Sequence, residues 1–286
     1  MKWKYYLYLA LFMPVAVLPF WALYLLSDGL YLLFYKVLRY RLHVVRQNLS
    51  MAFPEKTEAE RRAIEKEFYR QFCDNIVETV KLLCVSDKGI TSRIEVINSE
   101  FVEEIAREER PIVLFLGHYG NWEWVPAGSG TYAIPELTIQ IYKPPHDKAF
   151  DRIILKIRSR FNTVSVAQKR AFRTLLEMRR DYKTFLVGFV ADHRPNGKVN
   201  HSMTFLHQPT TYSVGGEEIG ERIQAGYLYF EVLKQSRGHY RMIFHKVEPL
   251  QDGEPYPYTR RYMQLLEKTI RTAPPYWLWS HRRWLF

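Results

Sequence analysis

The spacing of apolar positions divides the chain into helical segments and short apolar runs. Over residues 57–84, apolar side chains recur every three or four positions, which predicts an amphipathic helix. Five short apolar runs predict strands at residues 111–116, 137–142, 184–191, 226–233 and 240–247. Helical patterns between several of them lie at residues 147–160, 170–180, 215–224 and 258–272. This alternation predicts an α/β fold with a mostly parallel central sheet flanked by helices.

The N-terminal segment is apolar over a length that suits a membrane. No charged residue occurs between Tyr5 and Leu26, and a helix needs roughly 20 apolar residues to cross a hydrocarbon core. We therefore predict a hydrophobic anchor helix within residues 1–35. Pro14 and Pro19 each remove a backbone hydrogen bond, so a re-entrant or interfacial segment and a buried core helix stay open as alternatives.

Charge and composition favour a lipid surface. The formal net charge of +11 attracts anions, which include nucleic acid, anionic lipid headgroups and an acidic carrier protein. An aromatic content of 15% is typical of proteins at a membrane interface and shifts this choice towards lipid. Basic residues after the apolar segment outnumber those before it, which predicts a globular part on the cytoplasmic side: Lys36, Arg39, Arg41 and Arg46 against Lys2 and Lys4.

Candidate chemistry lies directly after the first predicted strand, in the block GHYGNWE at residues 117–123. His118 is thereby placed at the carboxyl edge of the sheet, where ligands bind in open α/β folds. Gly120 permits a turn, and Asn121 is a good N-cap for a helix that has Glu123 in its first turn. The Glu123 carboxylate could then hold one nitrogen of His118 while the other takes a proton from a hydroxyl. A strand-end histidine beside a routine first-turn acid is the alternative.

Four blocks in order, over nearly the whole chain, resemble the bacterial lipid A biosynthesis acyltransferases, the lauroyl and myristoyl transferase family. They are YRLHVVRQNLSMAFP at 40–54, GHYGNWE at 117–123, YKP at 142–144 with RSR at 158–160, and PYWLWSHRRW at 275–284. The resemblance implies a glycerolipid acyltransferase-like catalytic domain over residues 36–286, at the inner membrane. It implies His118 as general base with Glu123 as its partner, and no cofactor or metal. Family members often have Asp-Gln where this chain has Asp192 and His193, which leaves the role of His193 open.

The resemblance also implies the reaction. An acyl carrier protein thioester, or acyl-CoA, would donate a fatty acyl chain to a hydroxyl of a lipid A precursor, with no nucleic acid involved. A lysophospholipid, an aminolipid or another glycolipid stays open as the acceptor. A different class of function, a non-catalytic basic protein bound to membranes or nucleic acid, would make the histidine structural.

Several polar residues outside the block are candidates for substrate binding. Arg158 and Arg160 follow a basic helix and could clamp an acceptor phosphate, or else form a solvated basic face. Asp192 and Arg194 follow the strand at 184–191 and so reach the same sheet edge. Within the block, Asn121 is a further candidate for substrate binding. The group His281-Arg282-Arg283 stands among tryptophans, which indicates an acceptor-binding tail or a tail that docks by its tryptophans.

Overall fold

A seven-stranded sheet forms the centre of the computed structural model, which describes residues 2–128, 137–195 and 201–284. The strands in chain order are β1 (Ile94–Ile97), β2 (Ile112–Leu116), β3 (Thr138–Tyr142), β4 (Thr163–Ala167), β5 (Leu186–Val190), β6 (Ser202–Phe205), β7 (Gln208–Thr211), β8 (Gly226–Ser236) and β9 (His239–Lys246). The sheet has the order β1-β9-β8-β2-β5-β3-β4, and β8 and β9 are its antiparallel pair. Strands β6 and β7 form a separate antiparallel hairpin.

Helices cover both faces of this sheet. In the described parts of the chain they are α1 (Lys2–Val17), α2 (Phe20–Tyr31), α3 (Leu42–Ala52), α4 (Glu58–Lys81), α5 (Asp87–Thr91), α6 (Glu100–Arg107), α7 (Val125–Gly128), α8 (Lys148–Arg158), α9 (Ala171–Asp181), α10 (Gly215–Ile223) and α11 (Pro257–Thr272). Alternate residues of β2 enter two separate apolar clusters, one packed with α9, α10 and α11 and the other with α6 and α8. Every residue of β2 is therefore buried, as expected for a strand covered on both faces.

The predicted α/β architecture with a mostly parallel sheet is confirmed. Four short strands were not predicted: β6 and β7 of the hairpin, and β1 and β4 of the central sheet. Strands β1 and β4 lie at the two edges of the sheet, where apolar residues alternate with polar ones over only four or five positions. The long helix predicted at 57–84 is α4, whose first turn is closed by a capping box between Thr57 and Glu60.

The predicted single anchor helix is not what the structure has. Helix α1 ends at Val17 and α2 begins at Phe20, with Pro19 in an extended conformation at the N-cap. A π-helical segment, Leu32–Val37, continues α2. Within the described residues no one helix is long and apolar enough to cross a membrane, although the pair Lys2–Val17 and Phe20–Val37, bent by 119°, meets the length and composition needed when taken together. The break follows from Pro19, because proline does not continue a helix from this position.

Candidate active site

His118 and Asp192 meet at the carboxyl edge of the sheet. Strands β2 and β5 are parallel neighbours, with Leu116 paired with Val190 in register. Each is followed after a short connection by one of these two residues, so their side chains reach the same edge. His118 Nδ1 lies 2.6 Å from Asp192 Oδ1. The imidazole is 16% exposed and the carboxylate is fully buried, so a substrate has access to the ring and not to the acid.

Three donors surround the Asp192 carboxylate. The His118 backbone N–H donates to Oδ2 at 2.9 Å, and Trp277 Nε1–H donates to the same oxygen at 2.7 Å. Burial by itself raises the pKa of Asp192, but the positive charge and hydrogen bonds of His118 and the bond from Trp277 hold it well below its ordinary value. An ionised carboxylate only accepts hydrogen bonds. We infer that Nδ1 of His118 carries the proton and that Nε2 is left as the basic nitrogen.

Glu123 does not orient His118, contrary to the sequence-based prediction. Its carboxylate accepts two bonds from Arg158, from Nε at 3.1 Å and from Nη2 at 2.7 Å. Glu123 does lie in the first turn of a short 3-10 helix, Trp122–Trp124, as expected. That helix turns the carboxylate towards the end of α8, and Asp192 occupies the position beside Nδ1 that was assigned to Glu123. Arg158 thus belongs to the site, paired with an acid of the same block.

Asn121 also departs from its predicted role. It stands at the N-cap position of the 3-10 helix, yet its side chain makes no cap bond. Its Nδ2 instead donates to Glu78 Oε2 of α4 at 2.6 Å, and the residue is fully buried. Asn121 therefore anchors the loop between His118 and Glu123 from behind.

The turn at Gly120 is held against the C-terminal segment. Gly120 has φ +61°, and a Cβ there would collide with the carbonyl oxygen of Val232. The Gly120 N–H donates to Tyr276 O at 2.9 Å, and Leu278 N–H donates to His118 O at 3.0 Å. The Gly120 N–H is therefore already bonded and is not available to stabilise an oxyanion. This pairing brings Trp277 to Asp192.

Two further histidines stack on the base. The ring of His193 lies parallel to His118 with centroids 3.5 Å apart, and His281 stacks on the other face of His193 at 3.8 Å. Burial lowers the pKa of His193 to about 3 and that of His281 to about 4, and in both cases the charge of His118 acts in the same direction. The rings of His193 and His281 are therefore neutral at physiological pH, so the face of His118 rests on an uncharged surface.

His118, Asp192 and His193 form the one group of possible metal ligands found among the described residues, with ligand atoms within 4.8 Å of one another. The geometry does not favour a shared ion. Lone pairs of imidazole lie in the ring plane, so two parallel rings direct them side by side and not to one point. The Asp192 oxygens are also engaged by three donors. A base and its orienting acid describe this cluster better than a metal centre does.

The remaining predicted binding residues divide into two kinds. Arg160 donates to the carbonyls of Leu82 and Val85, so its guanidinium ties the end of α8 to the end of α4 instead of facing a substrate. Arg194 is exposed directly after His193, at the open side of the site. Turn residues in the sequence predict a loop over 194–201 that is long enough to carry function, and most of it falls outside the described residues.

An apolar pocket opens beside Glu123 and Arg158. The Trp122 ring contributes to its wall and also contacts His118, with ring centroids 5.1 Å apart. The other lining residues come from β2, β3 and β5 and from the loops around them: Leu114, Leu116, Val125, Pro126, Thr138, Ile139, Gln140, Ile141, Thr163, Leu186, Gly188 and Val190. The pocket is thus mostly apolar, and its lining residue Trp122 contacts His118.

Sequence reasoning missed Trp277 and His281. Both belong to the basic and aromatic C-terminal segment, for which the sequence leaves docking and acceptor binding open as alternatives. Trp277, Trp279, Arg283 and Trp284 are buried, so the segment docks, and docking carries His281 into the site. The high density of tryptophan in this segment was the available signal. The sequence could not show that Trp277 bonds to Asp192.

A histidine that is hydrogen-bonded to a buried carboxylate, beside an apolar pocket, is an arrangement that can activate a hydroxyl or a water. The model of the bacterial lipid A biosynthesis acyltransferase family matches residues 1–286. The chain is similar to the lipid A biosynthesis lauroyltransferase of Escherichia coli K12, with 26% identity over 98% of this chain and 91% of that protein. It is similar to the lipid A biosynthesis acyltransferase of Haemophilus influenzae, with 24% identity over 98% of this chain and 90% of that protein.

Among solved structures, the chain matches the 1-acyl-sn-glycerophosphate acyltransferase PlsC of Thermotoga maritima, with 13% identity and a TM-score of 0.39 over 88% of this chain and 97% of that chain. The family match spans the whole sequence, so the site belongs to an acyltransferase. The chain is a member of the bacterial lipid A biosynthesis acyltransferase family.

Proposed function

We propose that this acyltransferase moves a fatty acyl chain from an acyl carrier protein thioester, or from acyl-CoA, to a hydroxyl of a lipid A precursor. The observation that carries the proposal is the His118–Asp192 pair at the sheet edge, next to an apolar pocket. Asp192 fixes the tautomer, so Nε2 of His118 faces the substrate as general base.

The reaction needs a base and a held thioester. Nε2 of His118 takes the proton of the acceptor hydroxyl as its oxygen attacks the thioester carbon. The tetrahedral intermediate then expels the thiolate, which receives the same proton from the imidazolium. Buried Asp192 stabilises that imidazolium while it exists. Because the thioester is already activated, holding two lipids in place contributes much of the acceleration.

The ion pair of Glu123 and Arg158 is part of the lining of the pocket. Both side chains are about four-fifths buried, at 20% and 18% exposed, and the bond is bidentate. In this proposal Glu123 orients the guanidinium, and Arg158 binds the acceptor phosphate or the thioester oxygen.

We expect Glu123→Ala and Arg158→Ala each to lower kcat/KM by roughly tenfold or more, because each leaves a partly buried charge without its partner. The double variant should be little worse than either single one, since the pair acts as a unit. The exposed pair Arg173 and Glu177 is the matched control, and its alanine variants should keep full activity. Additive losses at 123 and 158 would instead mean two independent roles.

The pocket is the proposed acyl site. Gly188 lies in the middle of β5, between β2 and β3, and faces Leu114 and Gln140 across the sheet. A glycine in the interior of a strand weakens it and often marks the close approach of a ligand. A Cβ at Gly188 would stand 3.3 Å from Leu116 Cδ1, inside the pocket wall.

We expect Gly188→Leu to shift donor preference towards shorter chains, with a roughly tenfold loss on the longest donor used by the native enzyme. Gly188→Ala should shift it less, and Val190→Ala, which widens the same wall, should shift it the other way. Rates with decanoyl, lauroyl, myristoyl and palmitoyl carrier thioesters measure this, with melting temperatures as a check on folding. An equal loss on every donor would place the acyl chain elsewhere.

Residues 1–35 form the proposed membrane contact, on the cytoplasmic side of the inner membrane. Exposed apolar side chains continue from α1 through α2 into the π-helical segment: Trp3, Tyr6, Leu7, Leu11, Val17, Trp21, Leu25, Leu32 and Leu33. Lipid is the occupant that suits this surface, because tryptophan and tyrosine are enriched at membrane interfaces and the flanking residues are basic.

The test is acyl transfer by the full chain in membrane vesicles. Labelled acyl carrier thioester is mixed with a lipid A precursor, a lysophospholipid or an aminolipid, and the products are identified by mass spectrometry. Transfer to the lipid A precursor, together with lipid A lacking one acyl chain in a deletion strain, supports the proposal. Transfer only to one of the other acceptors changes the substrate, and thioester hydrolysis alone would overturn it.

A further inference from the structure

A buried polar face of α4 touches both the N-terminal helices and the catalytic loop. Asp74 accepts a bond from Ser27 of α2 at 2.7 Å, and Lys81 donates to Ala16 O at 2.9 Å. The next residue after Asp74, Asn75, donates through Nδ2 to Gly120 O at 2.8 Å. The same helix therefore holds the two segments on either side of it.

Glu78 is the residue of this face that binds both segments. It is completely buried, and its carboxylate accepts from Tyr24 Oη of α2 at 2.9 Å, from Asn121 Nδ2 at 2.6 Å and from Tyr240 Oη at 2.8 Å. Burial and the charge of Asp74 raise the pKa of Glu78 to about 7, although its three donors oppose the shift. No cation is among the bonds to Glu78, so hydrogen bonds alone compensate its burial.

Asn121 depends on this contact. Its Oδ1 is buried and makes no hydrogen bond within the described structure, so the bond from Nδ2 to Glu78 is what fixes its amide. Trp124, at the end of the same 3-10 helix, also donates to the Glu78 carbonyl at 3.3 Å. The segment 118–124, which carries His118 and Glu123, is thus fastened to α4 at Gly120, Asn121 and Trp124.

We propose that Glu78 is a positioning residue for acyl transfer, which fixes the loop carrying His118 and Glu123 and links its geometry to the seating of α2 through Tyr24. This inference rests on the proposed function. The Glu78 carboxylate accepts hydrogen bonds from Tyr24, Asn121 and Tyr240. A shift of this carboxylate would therefore move the contacts of both the loop and α2. Loss of the Tyr24 bond then acts on the catalytic loop without touching a substrate.

The experiment compares two substitutions, each of which removes one hydrogen bond between α2 and α4. Tyr24→Phe removes the bond to Glu78, and Ser27→Ala removes the bond to Asp74. We expect Tyr24→Phe to lower kcat roughly fivefold or more with an unchanged KM for the thioester. Ser27→Ala should leave kcat within a factor of about two, even where the two variants lose similar stability.

Substitutions of Glu78 supply the second measurement. Glu78→Ala should lower kcat by more than Tyr24→Phe, and Glu78→Gln should restore most of it, because the amide oxygen still accepts and a tyrosine hydroxyl can accept from the amide nitrogen. Equal losses of kcat in Tyr24→Phe and Ser27→Ala at matched stability would overturn the inference. An inactive native protein would refute the proposed function instead, so the two failures are distinguishable.

Discussion

Replacement of His118 by alanine is expected to lower acyl transfer by roughly 10²–10⁴-fold, the range that a general base contributes. The physical reason is that no other described side chain at this edge offers a basic nitrogen with an acid behind it. His193 is next in the stack, but burial lowers its pKa to about 3, so it is a poor proton acceptor. Initial rates with the carrier thioester and the lipid acceptor measure the loss.

The control for His118→Ala is a measurement of whether the variant is still folded. The ring is partly exposed and the variant leaves the buried Asp192 with its bonds from Trp277 and from the backbone of residue 118. Circular dichroism and a melting curve should therefore remain close to those of the native protein. Native-level transfer by a folded His118→Ala protein would remove the mechanism altogether.

Replacement of Asp192 by asparagine is expected to lower transfer on the order of 10³-fold while the loop stays in place. An amide can donate as well as accept, so it no longer forces the proton of His118 onto Nδ1, and it cannot stabilise the imidazolium. The loss should appear in kcat, because Asp192 is buried beneath the ring and does not face the substrate.

Glu231→Gln is the matched control for Asp192→Asn. Glu231 accepts a bond from His245 Nε2 at 2.8 Å, so it forms a histidine–carboxylate pair of the same kind away from the pocket. It should keep at least half of the native rate. If Asp192→Asn were as active as Glu231→Gln, the acid that orients the base would have to be sought elsewhere, with Glu123 the first candidate.

Local patterns predicted the fold better than they predicted the site. The strands at the centre of the sheet are long apolar runs, and the helices between them repeat at a regular spacing, so both were visible in sequence. The edge strands β1 and β4 are half exposed and short, and nothing local separates them from loops. The apolar run at the N-terminus was recognised, but the effect of Pro19 on its direction depends on packing against α4 and α8.

The identity of the acid beside His118 was beyond a local argument. Glu123 lies five residues from His118 and Asp192 lies 74 residues away, yet strand pairing brings the distant one into contact. The prediction had correctly placed both His118 and Asp192 at the carboxyl edge of the sheet. The sequence did not show which strands are neighbours in the sheet. The pairing of β2 with β5 determines that Asp192 is the acid beside His118.

The docking of residues 276–284 has a consequence for biogenesis. These residues supply Trp277 to Asp192 and His281 to the histidine stack, so the centre is assembled from pieces made early and late in translation. A nascent chain that still lacks these residues contains the sequence of every described strand, but it lacks Trp277 and His281 at the site. We therefore expect chains truncated before residue 277 to transfer little or no acyl chain, because Asp192 and His193 then lack their contacts with Trp277 and His281.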